Sequence, residues 1–280
     1  MNRIANGLSL VFLTLVLGTA FAQEEEEMLI QDAVPELGWV NGPGDVSIGG
    51  IATVGLPAAF TYLDSEDTAA LMELFQNPQN ENEYFVGPQD LRWWAVFSFE
   101  DMGYIKDDEE IDADELLASL REANDYGNEE RRSRGWPELT IIGWEYQPFY
   151  EKDSNRLAWA IRAESEGQEI VNYNTRLLGR RGVMSATLVA APEELDASVK
   201  EFNHMLTGFN YDEGHRYADW VPGDKVATYG LAALVAGGAA AAVAKSGAFK
   251  GLFKMIAVGV AAAFAAVSGW FKRRFKRTSD

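Results

Sequence analysis

Two histidines and no cysteine occur in the 280 residues, which removes thiol nucleophiles, disulfide frameworks and cysteine-held metals together. His204 lies in the apolar stretch 202–206, and His215 in Gly214-His-Arg-Tyr217. His215 and Asp219 are four residues apart, so they become a base and its orienter if their segment is helical, as an envelope hydrolase would need. Nothing in the spacing ties Ser185 or Ser198 to them as a nucleophile, and no Gly-x-Ser-x-Gly elbow is present. Seven carboxylates between Asp107 and Glu115 raise a divalent-cation sensor, with Asp107, Asp108 and Asp112 as candidate ligands. The run lacks the sixth-position glycine and twelfth-position glutamate of an EF-hand loop. Its simpler role is at the positive end of a helix dipole, balanced by Arg131, Arg132 and Arg134 at the other end.

Positive and amide side chains concentrate elsewhere, at Asn172, Asn174, Arg176, Arg180, Arg181 and Arg216, with Asp219 close by. Arginine forks hold carboxylates and phosphates bidentately, so these seven residues form the candidate contact patch for a ligand or protein partner. The competing assignment pairs each arginine with the surrounding excess of acid. Gly179-Arg-Arg-Gly182 has neither the spacing nor the following helix of a phosphate cradle, and no cofactor is expected. Trp39, Trp136 and Trp144 stand next to turns, where they would rim a glycan or peptide site. Trp94 and Trp159 read as core.

The elements that must position these groups follow from periodicity. Short β-prone runs at 46–48, 51–56 and 60–63 precede a helix over 66–75 capped by Asp64 or Ser65. Strands at 84–86 and 93–99 lead to a long helix ending near Arg134, with Leu116, Leu117, Leu120 and Ala123 on one stripe. Four runs at 139–146, 156–163, 169–178 and 183–189, separated by turn clusters, form an antiparallel meander. A helix over 193–206 and a short strand over 209–211 complete the pattern. Strands with interspersed helices on one face and no βαβ rhythm define an α+β domain.

Charge and hydropathy organise the ends. The formal net charge is −19, and residues 23–228 hold 42 acidic against 15 basic residues. That balance excludes a nucleic-acid partner, whose phosphates require a surplus of Lys and Arg. Arg3, the apolar run from Leu8 to Leu17 and Ala20-Phe-Ala22 read as a signal peptide over 1–22, cleaved after Ala22. Residues 251–271 make a 21-residue apolar helix, about 31 Å long and matched to a hydrocarbon core of about 30 Å. The tail 272–280 carries five Lys and Arg and is expected in the cytoplasm by the positive-inside rule. The chain therefore reads as single-pass in the inner membrane, with residues 23–228 as an acidic periplasmic domain. Residues 229–250 form an Ala/Gly-rich helix and basic linker. Its Gly-x-x-x-Ala spacings, such as Gly237 to Ala241, would favour close helix packing and a homo-oligomer.

Several motifs carry a resemblance. Gly103-Tyr-Ile-Lys-Asp-Asp108, Arg134-Gly-Trp-Pro137, Val171-Asn-Tyr-Asn-Thr-Arg-Leu-Leu-Gly-Arg-Arg-Gly-Val183, Gly214-x-Arg-Tyr-Ala-Asp219 and Tyr229-Gly-Leu-Ala-Ala233 resemble those of bacterial membrane-anchored proteins grouped as domain of unknown function 2167. The resemblance covers the mature chain from about Gly38 and implies location and architecture, with no activity attached. Where it leads one to expect Pro-x-Tyr-Asp, the chain has Pro148-Phe-Tyr-Glu151, which puts an aspartate-dependent metal or turn role in doubt. The order of elements also looks like the folds of PsbP and Mog1 proteins. The resulting expectation is a membrane-anchored, non-enzymatic binding or assembly module of the cell envelope, with an envelope protein or a second copy as partner.

Overall fold

A computed structural model describes residues 34, 36–75, 77 and 82–236. The expected signal peptide (1–22), the membrane span (251–271), the basic tail (272–280) and the glycine–alanine spacings from 237 onward lie outside the described residues. Among the described residues no helix is long and apolar enough to cross a membrane.

An eight-stranded antiparallel sheet is the frame, joined by a smaller three-stranded sheet. The strands are β1 (Val40–Asn41), β2 (Gly44–Ile48), β3 (Ala52–Leu56), β4 (Phe60–Leu63), β5 (Glu83–Pro88) and β6 (Trp93–Glu100). β7 (Thr140–Glu151), β8 (Arg156–Ser165), β9 (Gln168–Leu178), β10 (Val183–Ala190) and β11 (Phe209–Tyr211) follow. The large sheet has the order β1-β4-β5-β6-β10-β9-β8-β7, and the small one β11-β3-β2. Two meanders therefore meet at the β6–β10 pair, whose register runs from Val183 opposite Glu100 to Ala190 opposite Trp93. β6 is central, as its alternation predicts, because apolar side chains leave it on both faces. The fold is α+β.

Helices cover both faces, which corrects the expectation of one helical face. α1 (Ser65–Leu74), α2 (Ala113–Arg134) and α4 (Leu231–Val235) share one side, while α3 (Leu195–Leu206) lies on the other with the small sheet. The reason is the two-residue period of a strand. Trp93, Ala95 and Phe97 of β6 meet Phe202 and Met205 of α3, whereas Trp94 and Val96 meet Leu71 and Met72 of α1. The helix expected over 193–206 begins with a separate 3-10 turn at Pro192–Glu194.

Helix α2 is capped as its sequence demands. The Asp112 carboxylate accepts hydrogen bonds from the backbone N–H groups of Asp114 (3.0 Å) and Glu115 (3.1 Å), and Gly135 ends the helix with φ of 69°. Asp114 and Glu115 occupy the first turn and Arg131, Arg132 and Arg134 the last, so both charge runs face the favourable end of the dipole. A buried amide clamp then fixes α2 to the sheet. Asn128 donates to the Leu139 carbonyl at 2.7 Å and accepts from its N–H at 2.9 Å, while Asn124 donates to the same carbonyl at 2.7 Å. Asn128→Ala leaves the Leu139 N–H unpaired in a buried place, and the expected loss is about 1–3 kcal/mol. A urea midpoint unchanged by the substitution would contradict the clamp.

Residues 212–230 cross from one face of the sheet to the other and deliver α4. Tyr104 N–H donates to the Lys225 carbonyl at 2.8 Å, and Ala227 N–H to the Tyr104 carbonyl at 2.9 Å. The Tyr217 hydroxyl donates to the Ile105 carbonyl at 2.9 Å, and its ring stacks on Tyr104 with centroids 4.5 Å apart. Leu231, Leu234 and Val235 then enter the same apolar cluster as Leu116, Trp159 and Ile161. Residues 231–236 thus pack as part of the described unit, because the start of the Ala/Gly-rich segment carries aliphatic residues at helical spacing.

Candidate functional site

Beneath α2 and α4 the large sheet holds a cavity of about 110 Å³, floored by β8 and β9. Its β9 side is Asn172, Asn174 and Arg176, and its β8 side is Trp159, Ile161 and Ala163. Leu120, Ala123 and Asn124 of α2 cover it, and Val235 and Ala236 close one flank. Three of the seven residues nominated from sequence therefore come together. They do so because alternate residues of a strand share a face, so Val171 and Tyr173 fill the opposite core while the two asparagines and the arginine stay on the cavity side.

Each polar group has a defined setting. The Asn174 amide donates to the Asn172 carbonyl at 3.1 Å and accepts from the Thr187 hydroxyl at 3.1 Å. Among the described residues the buried Asn172 Oδ1 has no donor. The Arg176 guanidinium lies over the Trp159 ring, 4.8 Å from its centroid, and Nη1 donates to the Thr175 carbonyl at 3.1 Å. Burial pushes the Arg176 pKa down from its ordinary value, while the charge of Glu100 opposes the shift. Among the described residues no carboxylate lies within ion-pair distance of Arg176. Glu100, across the sheet, accepts instead from the Ser185 hydroxyl at 3.2 Å.

The other nominated residues serve local structure. Arg180 forks onto Asp224, with Nε to Oδ2 at 2.7 Å and Nη2 to Oδ1 at 3.0 Å. Asp224 also accepts from the Val221 N–H at 3.0 Å, and its pKa falls to about 2, with the Arg180 hydrogen bond as the main cause. A depressed carboxylate contributes stability above its unfolded value, near 3.8, and loses it as pH falls toward about 2. In Arg180→Gln the Asp224 carboxyl should titrate closer to 3.8, measured from its carbon-13 shift. An unmoved value would assign the depression to the Val221 N–H alone. Arg181 and Arg216 are exposed. Gly182 ends the turn between them because a Cβ there would lie 1.9 Å from the Glu100 carbonyl oxygen.

Asp219 accepts from the backbone N–H groups of Gly214 (2.9 Å) and Arg216 (3.1 Å). The intervening residues form a 3-10 turn at Tyr217–Asp219, so the helical spacing that would pair Asp219 with His215 is not realised. His204 is exposed on α3. In the acidic run, Asp112 is spent on the α2 cap and Asp107 accepts from the Tyr150 hydroxyl at 3.3 Å. Asp108 is exposed. Among the described residues no three metal-ligating side chains converge. Glu151 accepts from Arg156 at 3.0 and 2.9 Å and from the Ser154 hydroxyl at 3.0 Å, so it organises the β7–β8 turn where an aspartate was expected.

The tryptophans near turns pack inward. Trp39 donates to the Val34 carbonyl at 2.8 Å and meets Phe85 edge-on, Trp144 donates to the Ala113 carbonyl at 3.0 Å, and Trp136 lies under Arg134. Trp94 and Trp159 are core residues, as their strands imply.

A family model described as "Protein of unknown function (DUF2167)" matches residues 40–268. The chain belongs to this family. The match begins at β1 and extends beyond the cavity, and it brings no activity with it. None of the curated proteins matches the sequence. Among solved structures, the cyanobacterial PsbP (CyanoP) of Synechocystis is similar over 63% of this chain and 92% of its own, at 11% identity and a TM-score of 0.36. The Ran-binding protein Mog1p of Saccharomyces cerevisiae is similar over 61% of this chain and 96% of its own, at 9% identity and a TM-score of 0.32. At those scores neither likeness bears an argument about this chain.

Proposed function

We propose that this family member is a membrane-anchored protein of the cell envelope whose acidic α+β domain is a binding module, with the cavity on β8 and β9 as its binding site. The observation that carries the reading is Arg176, a part-buried guanidinium stacked on Trp159, lining a cavity, with no carboxylate in ion-pair range among the described residues. Folds that bury a charge ordinarily pair it, since an isolated one costs several kcal/mol. A cavity wall of amides, aliphatics and one stacked arginine has the composition of a recognition pocket, a few placed polar groups on an apolar lining. Its lining includes no acid, base or nucleophile pair of the kind that acyl or glycosyl transfer requires.

Anchoring is supported by the signal-like N-terminus, the 21-residue apolar segment over 251–271 and the basic tail. Arg181 and Arg216, exposed beside the β9–β10 turn, are the remaining candidates for contact with an envelope partner or a second copy.

The binding reading is tested on the full chain in detergent micelles, labelled with 5-fluorotryptophan. The Trp159 resonance is assigned by its loss in Trp159→Phe. A panel of small acids, alcohols and amides should contain compounds that move it saturably. A Trp159 signal indifferent to the whole panel would overturn the module. For anchoring, the chain should stay with membranes through alkaline carbonate extraction, and a chain ending at residue 250 should be released. Recovery of the full chain in the soluble fraction would refute it.

A further inference from the structure

Arg176 retains hydrogen-bonding capacity that the fold does not use. A guanidinium has five N–H donors, and among the described residues one bond is made, to the Thr175 carbonyl. Stacking on Trp159 engages the face of the group and not its edge, and the edge is what meets a carboxylate in a fork. On the same strand Asn172 turns an Oδ1 away from the open space, buried and, among the described residues, without a donor. Both residues line the cavity. They sit four apart on one face of β9, with Cα atoms about 13 Å apart by strand geometry. Asn174 stands between them with its amide already satisfied on both sides.

Size and charge narrow the class further. The cavity of about 110 Å³ is smaller than a cavity of about 150 Å³ that accommodates benzene, so its ligand has about four to six non-hydrogen atoms. One guanidinium neutralises one negative charge. A phosphate dianion would bring a second charge next to Glu100, in a segment with 42 acidic and 15 basic residues, and is disfavoured for that reason. Trp159 and Ile161 on one wall and Val235 on another offer apolar surface to a short carbon body.

We propose that the cavity binds a small monocarboxylate, its carboxylate on the edge of Arg176 and its carbon body against Trp159 and Ile161. The assignment rests on the binding-module reading and adds the chemistry of the ligand. It makes Arg176 the selector for charge. No bond is made or broken; the site is one of capture.

The probes are lactate, propionate, lactamide and inorganic phosphate, added to the full fluorotryptophan-labelled chain in micelles. Lactate and propionate should each move the Trp159 resonance saturably, and lactamide should bind at least tenfold more weakly for want of the charge. Arg176→Gln should abolish the lactate response. Arg176→Lys, which keeps the charge and loses the fork, should retain part of it, as a misfolded chain would not. Lactamide equal to lactate would overturn the proposal while leaving a binding pocket, and so would preference for phosphate. If other panel compounds move Trp159 and none of these probes does, the ligand class is wrong and the module stands. Silence toward every compound removes both.

Discussion

Trp93→Ala should lower the stability of the folded chain by about 3–5 kcal/mol, the usual cost of emptying a large aromatic site in a core. Trp93 is fully buried at the point where β6, the start of β4 and α3 meet. Its ring packs edge-on against Phe60 at 5.4 Å and Phe202 at 5.8 Å, and its Nε1–H donates to Glu201 at 2.7 Å. Glu201 in turn holds both carboxylate oxygens on Arg92 Nη2, at 2.5 and 2.7 Å. Alanine removes the ring from two aromatic neighbours and one donor from Glu201 together. Trp93→Phe, which keeps most of the packing and loses the hydrogen bond, should cost about 1 kcal/mol. Urea denaturation followed by circular dichroism distinguishes these values, since a domain of this kind has about 5–15 kcal/mol to lose. A cost for alanine no larger than that for phenylalanine would place the stabilisation in the Glu201 network and not in the ring.

How much of this was legible in the sequence differs between fold and site. The meander over β7 to β10 is readable because its runs alternate with a two-residue period between clear turns at 153–155, 166–167 and 179–182. Asp64 is readable as a cap because it is followed by acidic residues and then an apolar stripe, whereas Asp112, a candidate metal ligand by composition, is the cap of α2. Which face a helix covers is not readable. It depends on the β6–β10 pairing, a contact between residues about 90 apart in the chain that no local pattern encodes. The two-residue strand β1 is too short to leave a signal.

For the site, the patch was named from composition, and the sheet divides it. Asn172, Asn174 and Arg176 share a face and a cavity, while Arg180 is consumed by Asp224 and Asp219 by backbone N–H groups. The polar alternation on β9 carries the opposite signal to its actual place, since polar residues at every second position read as a solvent-facing side. α2 and α4 cover that side instead. The sign of the exception is Arg176 itself, two residues from a partnered asparagine and yet, among the described residues, without an ion pair in a chain so rich in acid. Trp159 and Ile161 on the neighbouring strand complete the site, and only the β8–β9 register, with Trp159 opposite Asn174 and Ile161 opposite Asn172, brings them there.

Leu234→Ala in the full chain should cost about 2–5 kcal/mol, the range for a leucine removed from a packed core. Leu231, Leu234 and Val235 are each almost fully buried, although composition placed them in a segment leading to the membrane. α4 is held from both ends. Glu109 accepts from the Ala232 N–H at 3.0 Å at its start, and Val235 and Ala236 reach the cavity wall at its finish. The described chain therefore ends, at Ala236, on the flank of the proposed site. A ligand contacting Val235 or Ala236 stabilises α4 by mass action in proportion to its occupancy, so saturating lactate should recover part of the stability lost in Leu234→Ala. In Arg176→Gln/Leu234→Ala the same lactate should recover none. The readout is the urea midpoint of the four proteins with and without lactate. A Leu234→Ala cost below about 1 kcal/mol, the level of an ordinary surface change, would show that α4 merely rests on the sheet. Equal recovery in the presence and absence of Arg176 would separate the helix from the site. The pattern expected here makes α4 a wall of the pocket, and occupancy of the pocket a determinant of how firmly α4 is held to the sheet.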